Sequence, residues 1–91
     1  MYTVSAKLTF YIESSGSLKD KRQIRRSIID RTRRQFNVSA AEVATQDSHK
    51  ILTLGIAAVS GDAGHARQMI DEVVRFMDEH ADAELVEVEE C

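Results

Sequence analysis

Proline is absent from this 91-residue sequence, so no helix or strand carries a built-in break. Cysteine is nearly absent: Cys91 stands alone, which excludes an intramolecular disulfide and suits a reducing compartment. No apolar run approaches the roughly 20 residues that cross a bilayer, and no membrane partner is expected. Residues 1–10 alternate polar and apolar types around Lys7 instead of forming the apolar block of a signal peptide. The expected location is the cytoplasm.

Chemistry-bearing clusters are missing too. His49, His65 and His80 fall in a turn, a helix start and a helix end, with no i, i+4 pair and no neighbouring ligand, so no metal is expected. Ser14, Ser15 and Ser17 cluster in one loop without a base nearby, and read as turn and cap residues. Cys91 is expected on a fraying terminus, a poor place for a tuned thiolate. The acidic pairs Asp71-Glu72, Asp78-Glu79 and Glu89-Glu90 are sequence neighbours, which on a helix point about 100° apart and make no acid–base dyad. Gly61-Asp62-Ala63-Gly64 precedes a helix but lacks a P-loop lysine and the spacing of a dinucleotide fingerprint. The sequence thus gives no reason to expect an enzyme or a cofactor.

What remains is a globular composition, 43% hydrophobic and 30% charged. A single domain spanning residues 1–91 is expected. A chain of this size hides roughly 60–65% of its unfolded surface, enough for one core but not for a large buried chamber.

Val4, Ala6, Leu8, Phe10 and Ile12 alternate with polar residues, the period-two signature of a half-buried strand. Ser17 is placed to cap a helix over residues 18–35, with Asp20 near its positive end. Leu18, Ile24, Ile28, Ile29 and Phe36 fall within one arc of about 140° on that helix. Residues 38–45 read as a second strand, with a bulge expected at Ala40-Ala41. After a turn at residues 46–49 comes a third strand over 50–60. Asp62 then caps a helix to about His80, and residues 85–89 form a last short strand.

The order βαββαβ with two interleaved crossovers predicts an α+β, ferredoxin-like sandwich: a four-stranded antiparallel sheet, order 4-1-3-2, with both helices on one face. The first and third strands are then central, and they are the most apolar. The fourth, with Glu84, Glu87 and Glu89, has the charge of a protected edge. The outer sheet face, carrying Thr3, Ser5, Thr9, Tyr11, Thr53, Gly55 and Ala57, has one aromatic. That argues against base stacking on the sheet and leaves room for a second copy.

Charge is divided along the chain. Residues 1–61 hold ten lysines and arginines against five acids, whereas residues 62–91 hold two against ten. The first helix concentrates the positive side. Lys19, Arg22, Arg26 and Arg33 project within about 60° of one another, with Arg34 and Arg31 farther round. Like charges three and four residues apart repel by a few tenths of a kcal/mol, and only Asp20 and Asp30 are near enough along the helix to offset them. Such a row suggests contact with phosphates, hence RNA or ribosomal particles. The alternative is pairing with the acidic C-terminal third, within the chain or in a homodimer. Lys21 and Arg25 fall inside the apolar arc. They are expected to cover the core edge with their stems and reach water with their heads, or to pair with the acidic last strand or second helix. The candidate binding residues are therefore Lys19, Lys21, Arg22, Arg25, Arg26, Arg33 and Arg34.

Ser17-Leu18-Lys19-Asp20-Lys21-Arg22, Arg34-Gln35-Phe36-Asn37-Val38-Ser39, Ala41-Glu42-Val43 and Gln46-Asp47 together resemble the YlxP-like family of small bacterial domains of unknown function. The resemblance covers nearly the full chain and implies a ferredoxin-like fold. Family members are often encoded among translation and ribosome-maturation genes, an association that points toward RNA. It supplies no catalytic residue. Asp47-Ser48-His49-Lys50 departs from the usual pattern, at the turn between the second and third strands.

Overall fold

A computed structural model describes residues 1–91. Strand β1 (Tyr2–Tyr11) leads into helix α1 (Leu18–Gln35), then β2 (Ser39–Ala44), β3 (Ile51–Ser60), α2 (Ala63–His80) and β4 (Glu84–Glu90). The four strands form one antiparallel sheet in the order β2-β3-β1-β4, the ferredoxin-like arrangement read from the sequence. The two ten-residue strands, β1 and β3, pair along their whole length from Tyr2–Ser60 to Tyr11–Ile51.

Alternation decides which face is buried. Ala6, Leu8, Phe10 and Ile12 share the inner face with Leu52, Leu54, Ile56 and Ala58, and all are at most 3% exposed. Ile28 and Ile29 of α1, with Ile70, Val73 and Met77 of α2, close over them as one core. Capping fixes where each helix starts. Ser17 Oγ accepts from the Asp20 amide, and Asp20 Oδ2 accepts in return from the Gly16 amide. Asp62 Oδ1 accepts from the amides of Gly64 and His65.

Four local expectations are corrected. Leu18 is 36% exposed and not part of the core, because it lies in the first turn beyond the edge of the sheet. The irregularity in β2 falls at Val43, between the Glu42–Leu54 and Ala44–Thr53 pairs, and not at Ala40-Ala41. Glu42 points inward by plain alternation with Ala40, ahead of the bulge, while Val43 turns out over Gly55, where a Cβ would come within 2.8 Å of Val43 Cγ1. Thr53, on the outer face by alternation, is nevertheless 3% exposed, because Thr45 packs over it with the two hydroxyls 2.9 Å apart. Finally, the Cys91 amide donates to the Ser5 carbonyl, so the terminal backbone is tied to β1.

Candidate functional site: the two faces of the basic helix

Helix α1 divides its cations between two environments. On the inward side Lys21 is 2% exposed. Its ammonium donates to the carbonyls of Thr45 and Ser48, both at 2.6 Å, and lies 2.9 Å from Glu42 Oε2. An ammonium has three protons, and three oxygens surround this one. The two carbonyls accept hydrogen bonds from it, and Glu42 supplies the counter-charge. Arg25 donates to the other oxygen, Glu42 Oε1, at 3.0 Å.

The Glu42 side chain is only 9% exposed. Burial pushes its carboxyl up, but the contacts with Lys21 and Arg25 together outweigh burial and hold it below the ordinary value of 4.5. The expectation that both stems cover the core while their heads reach water therefore fails for Lys21, whose head is sealed in. Their partner is neither β4 nor α2 but Glu42 of β2, two residues on from the inward-facing Ala40.

The two carbonyls held by Lys21 belong to the β2–β3 turn. Thr45 adopts the left-handed region at φ 58°, which a β-branched residue rarely enters. Its carbonyl also accepts from the Ser48 amide, and Ser48 Oγ accepts from the Ile51 amide. A lysine from the first turn of α1 thus fixes the backbone of a strained turn 24 and 27 residues downstream.

The outward side is different. Lys19, Arg22 and Arg26 are exposed and have no hydrogen-bond or ion-pair partner in the chain. Arg34 is exposed in the same way. Arg33 leaves this set, because it reaches past the edge of the sheet and donates to the Ala40 carbonyl of β2. Arg31 donates to the His80 carbonyl at 3.2 Å, and the His80 ring packs edge-on against Phe76 with centroids 4.3 Å apart. Of the seven candidate residues, buried Lys21 and half-buried Arg25 are paired with Glu42, Arg33 is engaged with backbone, and Lys19, Arg22, Arg26 and Arg34 stand free. The acidic C-terminal third does not reach them: Glu89 pairs with Lys7 at 3.3 Å, and Glu90 with Arg67.

Glu42 and the Thr45 and Ser48 carbonyls were missed by sequence reasoning. A signal existed in two off-pattern charges of opposite sign, Lys21 in an apolar helical arc and Glu42 two residues from buried Ala40. Which inward cation meets which inward anion depends on how α1 lies over β2, which only the fold supplies.

The family model described as "Protein of unknown function (DUF503)" matches residues 3–90. This chain belongs to the DUF503 family. A DUF503-like relative, "Uncharacterized protein YlxP" of Bacillus subtilis (strain 168), is 36% identical over 73 residues, covering 80% of this chain and 79% of the relative. Among solved structures, the de novo designed protein Ferredog-Diesel superimposes over 97% of this chain and 84% of its own, at 10% identity and a TM-score of 0.46. The fold assignment rests on the strand order above and not on that likeness. The YlxP-like stretch at residues 17–22 now has a physical reading in this DUF503 chain: Ser17 and Asp20 cap the helix, Lys21 anchors the turn, and Lys19 and Arg22 face outward.

Proposed function

We propose that this protein is a non-catalytic binding module that contacts structured RNA, free or within ribosomal particles, through the outward side of α1. One observation carries the reading. Lys19, Arg22 and Arg26 project from the same side of one helix and have no carboxylate partner, although the inward cations Lys21 and Arg25 of that helix share Glu42. The residues lie over seven positions, about 10 Å along the axis, and long flexible side chains let them reach successive phosphates. Helix-forming sequence alone gives no reason to line up repelling charges.

With three phosphate contacts, the log–log slope of affinity against salt is expected to be roughly −2 to −3. Titrating a labelled RNA hairpin and purified ribosomal subunits with the wild type and with Arg22→Glu/Arg26→Glu checks the reading. Loss of binding in the variant, with an unchanged circular-dichroism spectrum and a melting temperature no lower than that of the wild type, is the expected result. Equal affinity in the variant, or a wild-type affinity insensitive to salt, rejects it.

A further inference from the structure

The sheet face opposite the helices carries no second layer, and the strand register says what lies on it. Ser5 and Lys7 of β1 stand beside Ala57 and Gly55 of β3, and Ala41 continues the Gly55 row onto β2. These small side chains floor a shallow groove of about 680 Å³, with Val43 at its β2 side. Val43 is 50% exposed, and Val59, on the same face, 59%. The charges sit at opposite margins. Arg33 lines the groove at the β2 end, whereas Glu87 and Glu89 stand across from Thr9 and Lys7 on β4.

We infer that a second copy of this chain covers this face, related by a two-fold axis parallel to the strands. Such an axis lays each β4 over the partner's β2, so the glutamates of one chain approach the Arg33 margin of the other. A two-fold axis perpendicular to the strands stacks β4 on β4 and sets the glutamates against one another, which costs affinity. The area suffices. Two strands of ten residues, one of six and one of seven, spaced about 4.8 Å apart, present roughly 500 Å² per chain. Two chains then bury roughly 1,000 Å², the lower bound for a specific interface. Small side chains at the centre allow the sheets to approach to about 10 Å. The Lys7–Glu89 pair is covered as a neutral unit, so neither charge is stranded. The helices lie on the far side of each sheet, so this contact leaves the outward side of α1 uncovered and stands or falls independently of RNA binding.

Sedimentation equilibrium without nucleic acid, from micromolar to millimolar chain concentration, tests the inference. The expected result is a reversible shift from the 10.2 kDa chain to twice that mass. Ala57→Arg puts a long cation into the centre of the face and is expected to weaken association at least tenfold. Val59→Lys, at a position already open to solvent, is expected to act in the same direction and covers the case in which Ala57→Arg fails to fold. A wild type that stays monomeric at millimolar concentration overturns the inference. So does a dimer that folded variants at 57 and 59 leave intact, or one dissolved by Arg22→Glu/Arg26→Glu, which would place the contact on the helix.

Discussion

Lys19 and Lys21 stand two residues apart on one helix, yet they do opposite things. Lys19 points into solvent with no partner; Lys21 is sealed from it and holds three oxygens. About 200° of helical rotation separates them, and that rotation decides whether a cation serves the fold or is left for a partner. The same division separates Arg25 from Arg22 and Arg26. Basic residues on an amphipathic helix are therefore not one population, and only the uncommitted side bears on binding.

The sharpest way to break this comparison is at the buried member. Lys21→Met keeps the linear stem, one atom shorter, but leaves Glu42 with Arg25 as its one cation and deprives the Thr45 and Ser48 carbonyls of their shared donor. Removing one partner of a buried pair costs about 3–5 kcal/mol, a large part of the roughly 5–15 kcal/mol that holds a domain together. Urea denaturation measures it, and a loss below about 1 kcal/mol would show that the ammonium is dispensable.

A smaller effect is expected at Glu42, and it depends on pH. Its folded carboxyl titrates below its ordinary value, so the unfolded chain binds the proton more readily. Stability from this group is fully present above about pH 4.5 and is lost as pH falls through the lower folded value. Glu42→Gln should lower stability at neutral pH by about 1–3 kcal/mol, while its acid limb becomes flatter than that of the wild type over this window. Parallel acid limbs for the two proteins would contradict the assignment.

The smallest effect has the opposite sign. Arg22 sits three residues from both Lys19 and Arg25 and four from Arg26, so Arg22→Gln removes three like-charge contacts. It should raise the melting temperature slightly, by a few tenths of a kcal/mol in stability, most visibly at low salt. A substitution that destabilises there would reveal a structural partner for Arg22.

The architecture was legible because it rests on periodicity. Alternation in β1 and β3, the Ser17 and Asp62 caps, and the two interleaved crossovers each depend on nearby residues. The bounds of α1 follow from its cap and its apolar arc, and match residue for residue. The site was legible only in part. Lys19, Arg22 and Arg26 face outward, as helical angles alone require. Lys21, Arg25 and Arg33 escaped because their partners, Glu42, the turn carbonyls and the Ala40 carbonyl, come from β2 and the segment after it. The Val43 bulge adds a further shift of one residue, which alternation by itself assigns to the wrong place.

The Lys21 tether also changes how motion is distributed. Hairpin turns at a sheet edge commonly loosen before the rest of a fold. Here, peeling the β2–β3 turn away would strip two oxygens from an ammonium that the turn itself helps to seal from water. Opening the turn therefore costs the two Lys21 hydrogen bonds as well, which ties the turn to the start of α1 beside the outward cations.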